Sequence, residues 1–183
     1  PEDVLHLHWI GGEMLSVKQI ARLDKPVVWT LHDEWAMRGA EHIAIWPDAE
    51  RWRRGYVVDS DTIRSRGLDL DRWVWSRKRI AWNKPMTAVC PSRWLANRAA
   101  SSLLLRDWRI EVIPNPIDTD TWRPRPKAEA RARLKLPADE PLVVFGAIGG
   151  TSDKNKGADL LKTALERLAA GRKRPFRLGI FGQ

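Results

Sequence analysis

Short apolar runs alternate with amphipathic segments along the whole chain. Apolar or β-branched runs bounded by turn-forming residues predict strands, and apolar residues spaced three and four apart predict helices. The strands predicted in this way are 3–9, 27–31, 86–91, 109–113, 142–145 and 177–181. The predicted helices are 17–21, 71–82, 93–103, 129–134 and 158–169. Strand, helix and strand in succession form βαβ units, so we predict an α/β protein with parallel sheets.

A proline-containing break divides this alternation into two parts. Residues 119–126 contain two prolines, a tryptophan and polar residues, which favours a stiff connection between domains. We therefore expect 1–120 to form part of one Rossmann-like domain, 121–126 to form a linker, and 127–183 to begin a second domain. The second part is too short to bury both faces of a parallel sheet, so we expect the chain to be a fragment of a longer protein.

One passage fits neither pattern. Residues 36–69 are largely polar, contain three glycines and show little periodicity. A connection of that length in a compact domain is typical of a functional loop or an insertion.

The composition is that of a globular protein, with 43% hydrophobic and 30% charged residues. No apolar run is long enough to span a membrane, so we expect a cytoplasmic protein. The net charge of +9 predicts an anionic partner, but nucleic acid, a membrane surface and phosphorylated small molecules all fit this sign. Cys90 has no partner for an internal disulfide, and the histidines lack zinc-type spacing, so we expect no structural metal.

Eleven tryptophans are many for a chain of 183 residues. Tryptophan buries a large apolar area, so we expect most of them to anchor cores and helix faces instead of stacking on bases or sugars. This expectation applies to Trp9, Trp29, Trp46, Trp52, Trp73, Trp75, Trp82 and Trp94.

The second predicted strand ends in three ionisable residues, His32, Asp33 and Glu34. Open parallel sheets bind ligands at the carboxyl ends of their strands, so these residues form the first candidate site. A buried strand that ends in an ordinary polar turn is the alternative. His6 and His8 share one face of the first strand, where they either line this site or pack with hydrogen bonds.

The loop after the strand at 142–145 is the second candidate site. Gly149 and Gly150 let backbone N–H groups approach an anion, the following helix adds its dipole, and Lys154 and Lys156 add positive charge. The pattern therefore predicts a phosphate site. It is neither a Walker loop nor a dinucleotide fingerprint, and an ordinary strand-to-helix turn is the alternative.

Five stretches follow one another as they do in the family 4 glycosyltransferases of GT-B fold. They are His8-Trp9-Ile10, residues 25–35, Pro91-Ser92-Arg93-Trp94-Leu95, residues 112–118 and Lys156-Gly157. Within that family, these stretches most resemble those of the branch that works on bacterial exopolysaccharides such as colanic acid. The resemblance implies two Rossmann-like domains facing across a cleft, with a nucleotide diphosphate sugar held mainly by the C-terminal one. It also implies retention at the anomeric carbon and no metal or other cofactor.

The resemblance further implies roles for individual residues. His32 is expected to be the catalytic residue, facing the reacting sugar as a hydrogen-bond partner. Asp33 and Trp35 are expected to shape the acceptor side. The donor diphosphate is expected to contact Gly149, Gly150, Lys156 and Gly157.

The chain also departs from the family pattern. Cysteines that relatives carry near the segment Gly39-Ala40-Glu41-His42 are absent here. Ala147 stands near a position where the family often places a diphosphate-binding arginine, which leaves Lys156 as the better candidate. The paired glutamates that hold the donor sugar in this family are expected beyond Gln183, so we expect the fragment to be inactive by itself.

These observations predict a hexosyltransferase that uses a nucleotide diphosphate sugar and a saccharide or lipid-linked acceptor in exopolysaccharide or cell-surface polysaccharide synthesis. Peripheral contact with an anionic membrane, at the inner face of the plasma membrane, is a further expectation, and nucleic acid is not expected as a partner. A different class stays open, namely a non-catalytic basic α/β module that binds nucleic acid or an anionic membrane surface. An epimerase acting on sugar nucleotides is a third reading, against which the missing dinucleotide fingerprint argues.

Overall fold

The structure is a computed structural model of the chain. It describes residues 3–10, 14–43, 50–57, 68–171 and 175–182. The chain divides into two compact units, Pro1–Ile117 and Asp118–Gln183, and the residues expected to link two domains, 121–126, belong to the second unit. Each unit is described by itself.

The first unit is built on a four-stranded parallel sheet. Its strands are β1 (Leu5–His8), β2 (Val27–Thr30), β3 (Thr87–Cys90) and β4 (Arg109–Val112). Their order in the sheet follows the chain without reversal. Thr30 of β2 lies between His8 of β1 and Val89 of β3, so the carboxyl ends of these strands share one edge of the sheet. The predicted α/β class with parallel sheets is confirmed.

Helices connect the strands of the first unit, and serine side chains cap the starts of two of them. The helices that the structure describes here are α1 (Val17–Ala21), α2 (Arg51–Arg54), α3 (Leu70–Ala81) and α4 (Arg93–Ala100), with a 3-10 turn at Trp35–Met37. The Ser16 hydroxyl accepts the Gln19 N–H at 3.3 Å, and the Gln19 side chain accepts the Ser16 N–H at 2.9 Å. This reciprocal pair is the capping box that starts α1. The Ser92 hydroxyl likewise accepts the Leu95 N–H at 3.2 Å and starts α4.

Tryptophans dominate the core of the first unit. The ring centroid of Trp29 on β2 lies 5.6 Å from that of Trp82 and 6.3 Å from that of Trp108. The Trp82 indole N–H donates to the carbonyl of Val17 at 3.1 Å, so the end of α3 is joined to the start of α1. These contacts give the large aromatic rings both apolar neighbours and a partner for a buried N–H.

The expectation that most of the named tryptophans anchor cores and helix faces is confirmed at the buried positions, whereas other positions are exposed. Trp52, Trp75 and the three tryptophans named above are buried. Trp9, Trp73 and Trp94 are more than half exposed, and Trp46 lies outside the described residues. Arginine guanidinium groups lie over the exposed rings of Trp73 and Trp94, with carbon-to-centroid distances of 4.5 and 4.9 Å. Such stacking covers an aromatic face without taking it into the core.

The polar passage 36–69 contributes several of its described residues to the core. Trp52 and Tyr56 are 0% and 1% exposed, although three arginines lie in the same short stretch of sequence. The guanidinium groups of Arg38 and Arg98 lie 5.4 and 5.0 Å from the Trp52 ring centroid. Buried aromatic residues surrounded by arginines produce no apolar periodicity, so the sequence pattern predicted a loop for this passage.

The second unit contains a two-stranded parallel sheet. Its described elements are α5 (Lys127–Arg133), β5 (Leu142–Gly146), a 3-10 turn at Lys154–Lys156, α6 (Ala158–Gly171) and β6 (Arg177–Phe181). β5 pairs with β6 from Leu142 opposite Arg177 to Gly146 opposite Phe181. Across both units, no described helix combines the length and the apolar character needed to cross a membrane.

Candidate active site

Three histidines meet at the carboxyl edge of the sheet in the first unit. His6 and His8 lie on one exposed face of β1, and their ring centroids are 4.2 Å apart. His8 Nδ1 lies 3.0 Å from His32 Nε2, so one ring donates a hydrogen bond to the other. His6 Nε2 lies 2.8 Å from the hydroxyl of Thr30. The side chains of β1 therefore line the same edge as His32, which follows β2.

His32 is exposed, and its partner leaves one ring nitrogen for a ligand. Because His8 occupies Nε2, the remaining nitrogen is Nδ1, which has no polar partner within the part of the chain that the structure describes. Within that same part, no group of three or more His, Cys, Asp or Glu side chains is arranged to hold a metal ion. The arrangement suits hydrogen bonding to a ligand by a ring that a neighbouring side chain already orients.

Asp33 holds the fourth histidine of the chain. Its Oδ2 lies 2.5 Å from His42 Nδ1, and its Oδ1 accepts the Trp35 N–H at 3.0 Å. An ionised carboxylate only accepts hydrogen bonds, so His42 Nδ1 carries the hydrogen, and Nε2 is the ring nitrogen that Asp33 does not contact. The Glu34 N–H donates to the His42 carbonyl at 3.0 Å. Together these contacts close the segment from Asp33 to His42 into a defined loop.

Two tryptophans flank the His42 ring. The Trp35 ring stacks on it at a centroid distance of 6.3 Å and an interplanar angle of 22°, and the Trp9 centroid lies 5.8 Å away. Trp9, Trp35, His32 and Asp33 all line one small cavity at the edge of the sheet. Flat aromatic walls combined with a few polar groups are typical of sites for small polar ligands.

A buried ion-pair network supports this loop from the side of α4. Glu34 is 4% exposed, and its carboxylate accepts hydrogen bonds from Arg38 Nε at 2.7 Å and from Arg98 Nε. A buried carboxylate is unfavourable unless opposite charges and hydrogen bonds compensate for the lost water. The two arginines supply that compensation, and Arg98 ties the residue after Asp33 to α4.

Lys78 on α3 supports the same loop and lies against the face of the Trp35 ring. It is 0% exposed, and its Nζ donates to the carbonyls of Trp35, Arg38 and Gly39 at 2.5, 3.0 and 2.7 Å. Its Nζ also lies 3.7 Å from the centroid of the Trp35 ring. Burial lowers the pKa of Lys78 well below its ordinary value. The negative charges of Glu41, Asp33 and Asp71 act on this pKa in the opposite direction. The three carbonyls match the three N–H groups of an ammonium.

Glu41, Tyr56 and Gly39 close the far end of the loop. The Tyr56 hydroxyl donates to Glu41 Oε1, and the Tyr56 hydroxyl oxygen accepts the Gly39 N–H at 3.0 Å. Burial raises the pKa of Glu41 above its ordinary value, and the hydrogen bond from Tyr56 opposes that rise. A Cβ at Gly39 would overlap the backbone of Asp71 at the start of α3, so this close approach requires glycine.

The residues expected to bind the diphosphate lie between β5 and α6 of the second unit. Gly149, Gly150 and Gly157 have φ values of 83°, 56° and 72°, a region that glycine adopts without strain. The Gly150 N–H already donates to two carbonyls, at 2.9 and 3.2 Å. The Lys156 side chain is exposed, and that of Lys154 lies outside the described part of the chain. The loop thus offers the Lys156 ammonium more directly than the Gly150 amide.

A comparison with models of protein families assigns the first unit. The model of Glycosyltransferase Family 4 matches residues 3–121, which is more than half of the chain. The chain belongs to glycosyltransferase family 4. The match includes the four histidines and the loop that Asp33 closes, but it ends before the loop that carries Lys156. No significant match was found among curated proteins or among solved structures.

Membership of glycosyltransferase family 4 assigns glycosyl transfer as the general activity. The structure brings His32, Asp33 and Trp35, all named from the sequence, to one cavity. It adds His42 and Lys78, which sequence reasoning did not place in the site. His42 lies in a passage without periodicity, where no pattern indicates its contact with Asp33. The burial of Lys78 could have been inferred from the sequence. Lys78 follows Trp75, an expected core residue, by three positions and so lies on the same face of α3.

Proposed function

We propose that this family 4 glycosyltransferase is a retaining hexosyltransferase that moves a hexose from a nucleotide diphosphate sugar to a saccharide or lipid-linked acceptor. We place this reaction in the synthesis of exopolysaccharide or another cell-surface polysaccharide. The family match supports transfer of a sugar in general. The observation that carries the finer proposal is an exposed His32 at the carboxyl edge of a parallel sheet, with its Nε2 held by His8 at 3.0 Å.

The proposed role of His32 is to hydrogen-bond the reacting sugar through Nδ1. A ring that His8 already orients loses little freedom when the sugar binds, so its hydrogen bond stabilises the transition state efficiently. In a retaining reaction of this kind the acceptor hydroxyl gives its proton to the departing donor phosphate. His32 is therefore proposed as a hydrogen-bond partner and not as the general base.

The proposed site for the leaving diphosphate is the loop between β5 and α6. Negative charge develops on the diphosphate oxygens as the bond to the sugar breaks, and a cation fixed nearby favours that state over the ground state. We assign this role to the exposed Lys156. Gly149, Gly150 and Gly157 let the backbone come close to the phosphates, although the Gly150 N–H would first have to leave its carbonyl partners.

The proposed acceptor side is the aromatic part of the same edge as His32. Asp33 and Trp35 line the cavity that includes His32, and Lys78 and the Glu34 network hold the loop on which both lie. A loop fixed by buried contacts keeps its polar groups in place before the acceptor arrives, which lowers the cost of ordering it on binding.

The test compares wild type, His32→Ala and His32→Asn in the complete protein. We expect His32→Ala to melt like the wild type and to lose at least about tenfold in turnover of labelled nucleotide sugar, about 1.4 kcal/mol. Asparagine keeps one hydrogen-bonding group and should recover part of that loss.

The matched control is Asn83→Ala, an exposed residue of the same unit outside the cavity, which should leave turnover unchanged. Early melting of His32→Ala with full activity per folded molecule would make His32 a structural residue. Absence of transfer from every nucleotide sugar by the wild type would contradict the proposed reaction itself.

A further inference from the structure

Trp9 has two features that are unfavourable for a tryptophan and that the packing of the fold does not explain. It is 59% exposed, and its φ of 43° lies in the left-handed region that residues other than glycine rarely adopt. A backbone in that region costs about 1 kcal/mol or more for a residue with a Cβ. The two neighbours explain how the conformation is maintained, because His8 is hydrogen-bonded in the site and Ile10 is 2% exposed in the core. They do not explain why an indole occupies the turn.

The His42 ring lies beside the Trp9 indole, and one of its nitrogens is placed where it could bind a ligand. His42 Nδ1 is held by Asp33, and its Nε2 has no polar partner among the residues that the structure describes. The His42 side chain is 39% exposed and stands between Trp9 and Trp35. A hydrogen-bonding nitrogen of fixed direction therefore lies beside an exposed aromatic face.

We propose that Trp9 and His42 form a binding subsite for one pyranose ring of the acceptor. The apolar C–H face of the ring stacks on the Trp9 indole, and one ring hydroxyl, which can both donate and accept, hydrogen-bonds His42 Nε2. Trp9 also lines the cavity that contains His32 and Asp33, so a sugar held there lies next to the reacting position. The choice of an acceptor sugar rests on the proposed function, whereas the stacking geometry rests on Trp9 and His42 alone.

The chemistry of this subsite favours a saccharide over a phosphate-bearing ligand. The Asp33 carboxylate beside His42 accepts hydroxyl hydrogens and repels phosphate oxygens. A pyranose presents one apolar face and a rim of hydroxyl groups, which matches an aromatic plane bordered by polar side chains. A nucleobase would also stack on an indole, so the test includes a free nucleotide.

The test measures binding of methyl glycosides of glucose, galactose and mannose to the full chain by saturation-transfer NMR. We expect the protons of one ring face to receive most of the saturation for at least one glycoside. Trp9→Ala should weaken that binding at least about tenfold, as removal of a central aromatic contact does, and Trp9→Phe should retain part of it. Uridine monophosphate and guanosine monophosphate should each bind the wild type and Trp9→Ala equally.

Trp9→Gly separates binding from folding. Glycine adopts a φ of 43° without strain, so this variant should melt no earlier than the wild type while losing glycoside binding like Trp9→Ala. Trp94→Ala is the matched control, because Trp94 is also exposed but lies on α4 away from the cavity, and it should bind as the wild type does.

Three results would overturn the inference: no glycoside binding by the wild type, unchanged binding by Trp9→Ala, or loss of nucleotide binding instead of glycoside binding. Glycoside binding that depends on Trp9 in a protein without transferase activity would support the subsite and contradict the proposed reaction. Normal transfer with unchanged acceptor affinity in Trp9→Ala would support the proposed reaction and contradict the subsite.

Discussion

The first unit encloses apolar and charged side chains together, whereas in the second unit no described side chain of α5 or α6 is buried. Leu105 and Trp52 of the first unit are fully buried. Leu160 on α6 is 73% exposed, although the apolar spacing of α6 is as regular as that of the helices in the first unit. The same local pattern of strand and amphipathic helix thus ends in different degrees of burial.

This difference shows that periodicity specifies where an element forms, while burial depends on how many elements surround it. A parallel sheet needs cover on both faces, and the four strands of the first unit with their helices provide an interior that two strands do not. An interior is also what allows Lys78 and Glu34 to be held away from water by partners on other elements. The loop that carries His42 depends on those buried supports, whereas Lys156 in the second unit stays in contact with water.

The largest expected effect comes from removing the buried cation of the first unit. Lys78→Met removes the side chain that donates to three buried carbonyls and should lower the free energy of unfolding by about 3–5 kcal/mol. The neighbouring exposed residue provides the control, since Arg79→Met should change stability by about 0.5 kcal/mol or less. Urea denaturation followed by circular dichroism measures both. Equal stabilities for the two variants would show that Lys78 does not support the loop.

A pair of leucines tests the contrast between the two units directly. Leu105→Ala, at a fully buried position of the first unit, should cost about 2–4 kcal/mol because it leaves a cavity. Leu160→Ala, on exposed α6 of the second unit, should cost about 0.5 kcal/mol or less. Thermal and urea unfolding of both variants compares them under the same conditions. A large loss for Leu160→Ala would mean that α6 is covered in solution, and the contrast between the units would fail.

The smallest expected effect is on the pH dependence of stability and concerns Glu41. Burial raises the pKa of folded Glu41 above its ordinary value of 4.5, so the folded state keeps a proton that the unfolded state has lost just above that pH. Its contribution to stability therefore falls as pH rises from 4.5 through the raised pKa. Glu41→Gln cannot titrate, so the variant should lack this fall and be the more stable protein at neutral pH.

Urea midpoints measured from pH 4 to pH 8 test this expectation. The exposed Glu129 on α5 serves as the control, and Glu129→Gln should follow the wild-type profile. Parallel profiles for wild type and Glu41→Gln would show that the carboxyl is not held in its protonated form by burial. That outcome would also weaken the claim that the first unit protects ionisable groups from water.

Much of the fold was predictable because local rules decide it. The strands β2, β3 and β6 and the caps at Ser16 and Ser92 lie where apolar runs and hydroxyl residues predict them. The parallel arrangement followed from the alternation of strands and helices. The core contribution of Trp52 and Tyr56 was not predictable, since it depends on arginines from distant parts of the chain and not on spacing.

By itself, the sequence determined that His32 and Asp33 follow a buried parallel strand, because a run of apolar residues that stops in polar ones defines a strand end locally. Tertiary structure alone decided that His8 reaches His32, that His42 reaches Asp33 and that Trp9 stands exposed beside them. Those contacts join residues on different strands and loops, and the sheet register together with the buried partners of Lys78 and Glu34 sets their positions. Local periodicity carries no information on such pairings, because each depends on where another element comes to lie.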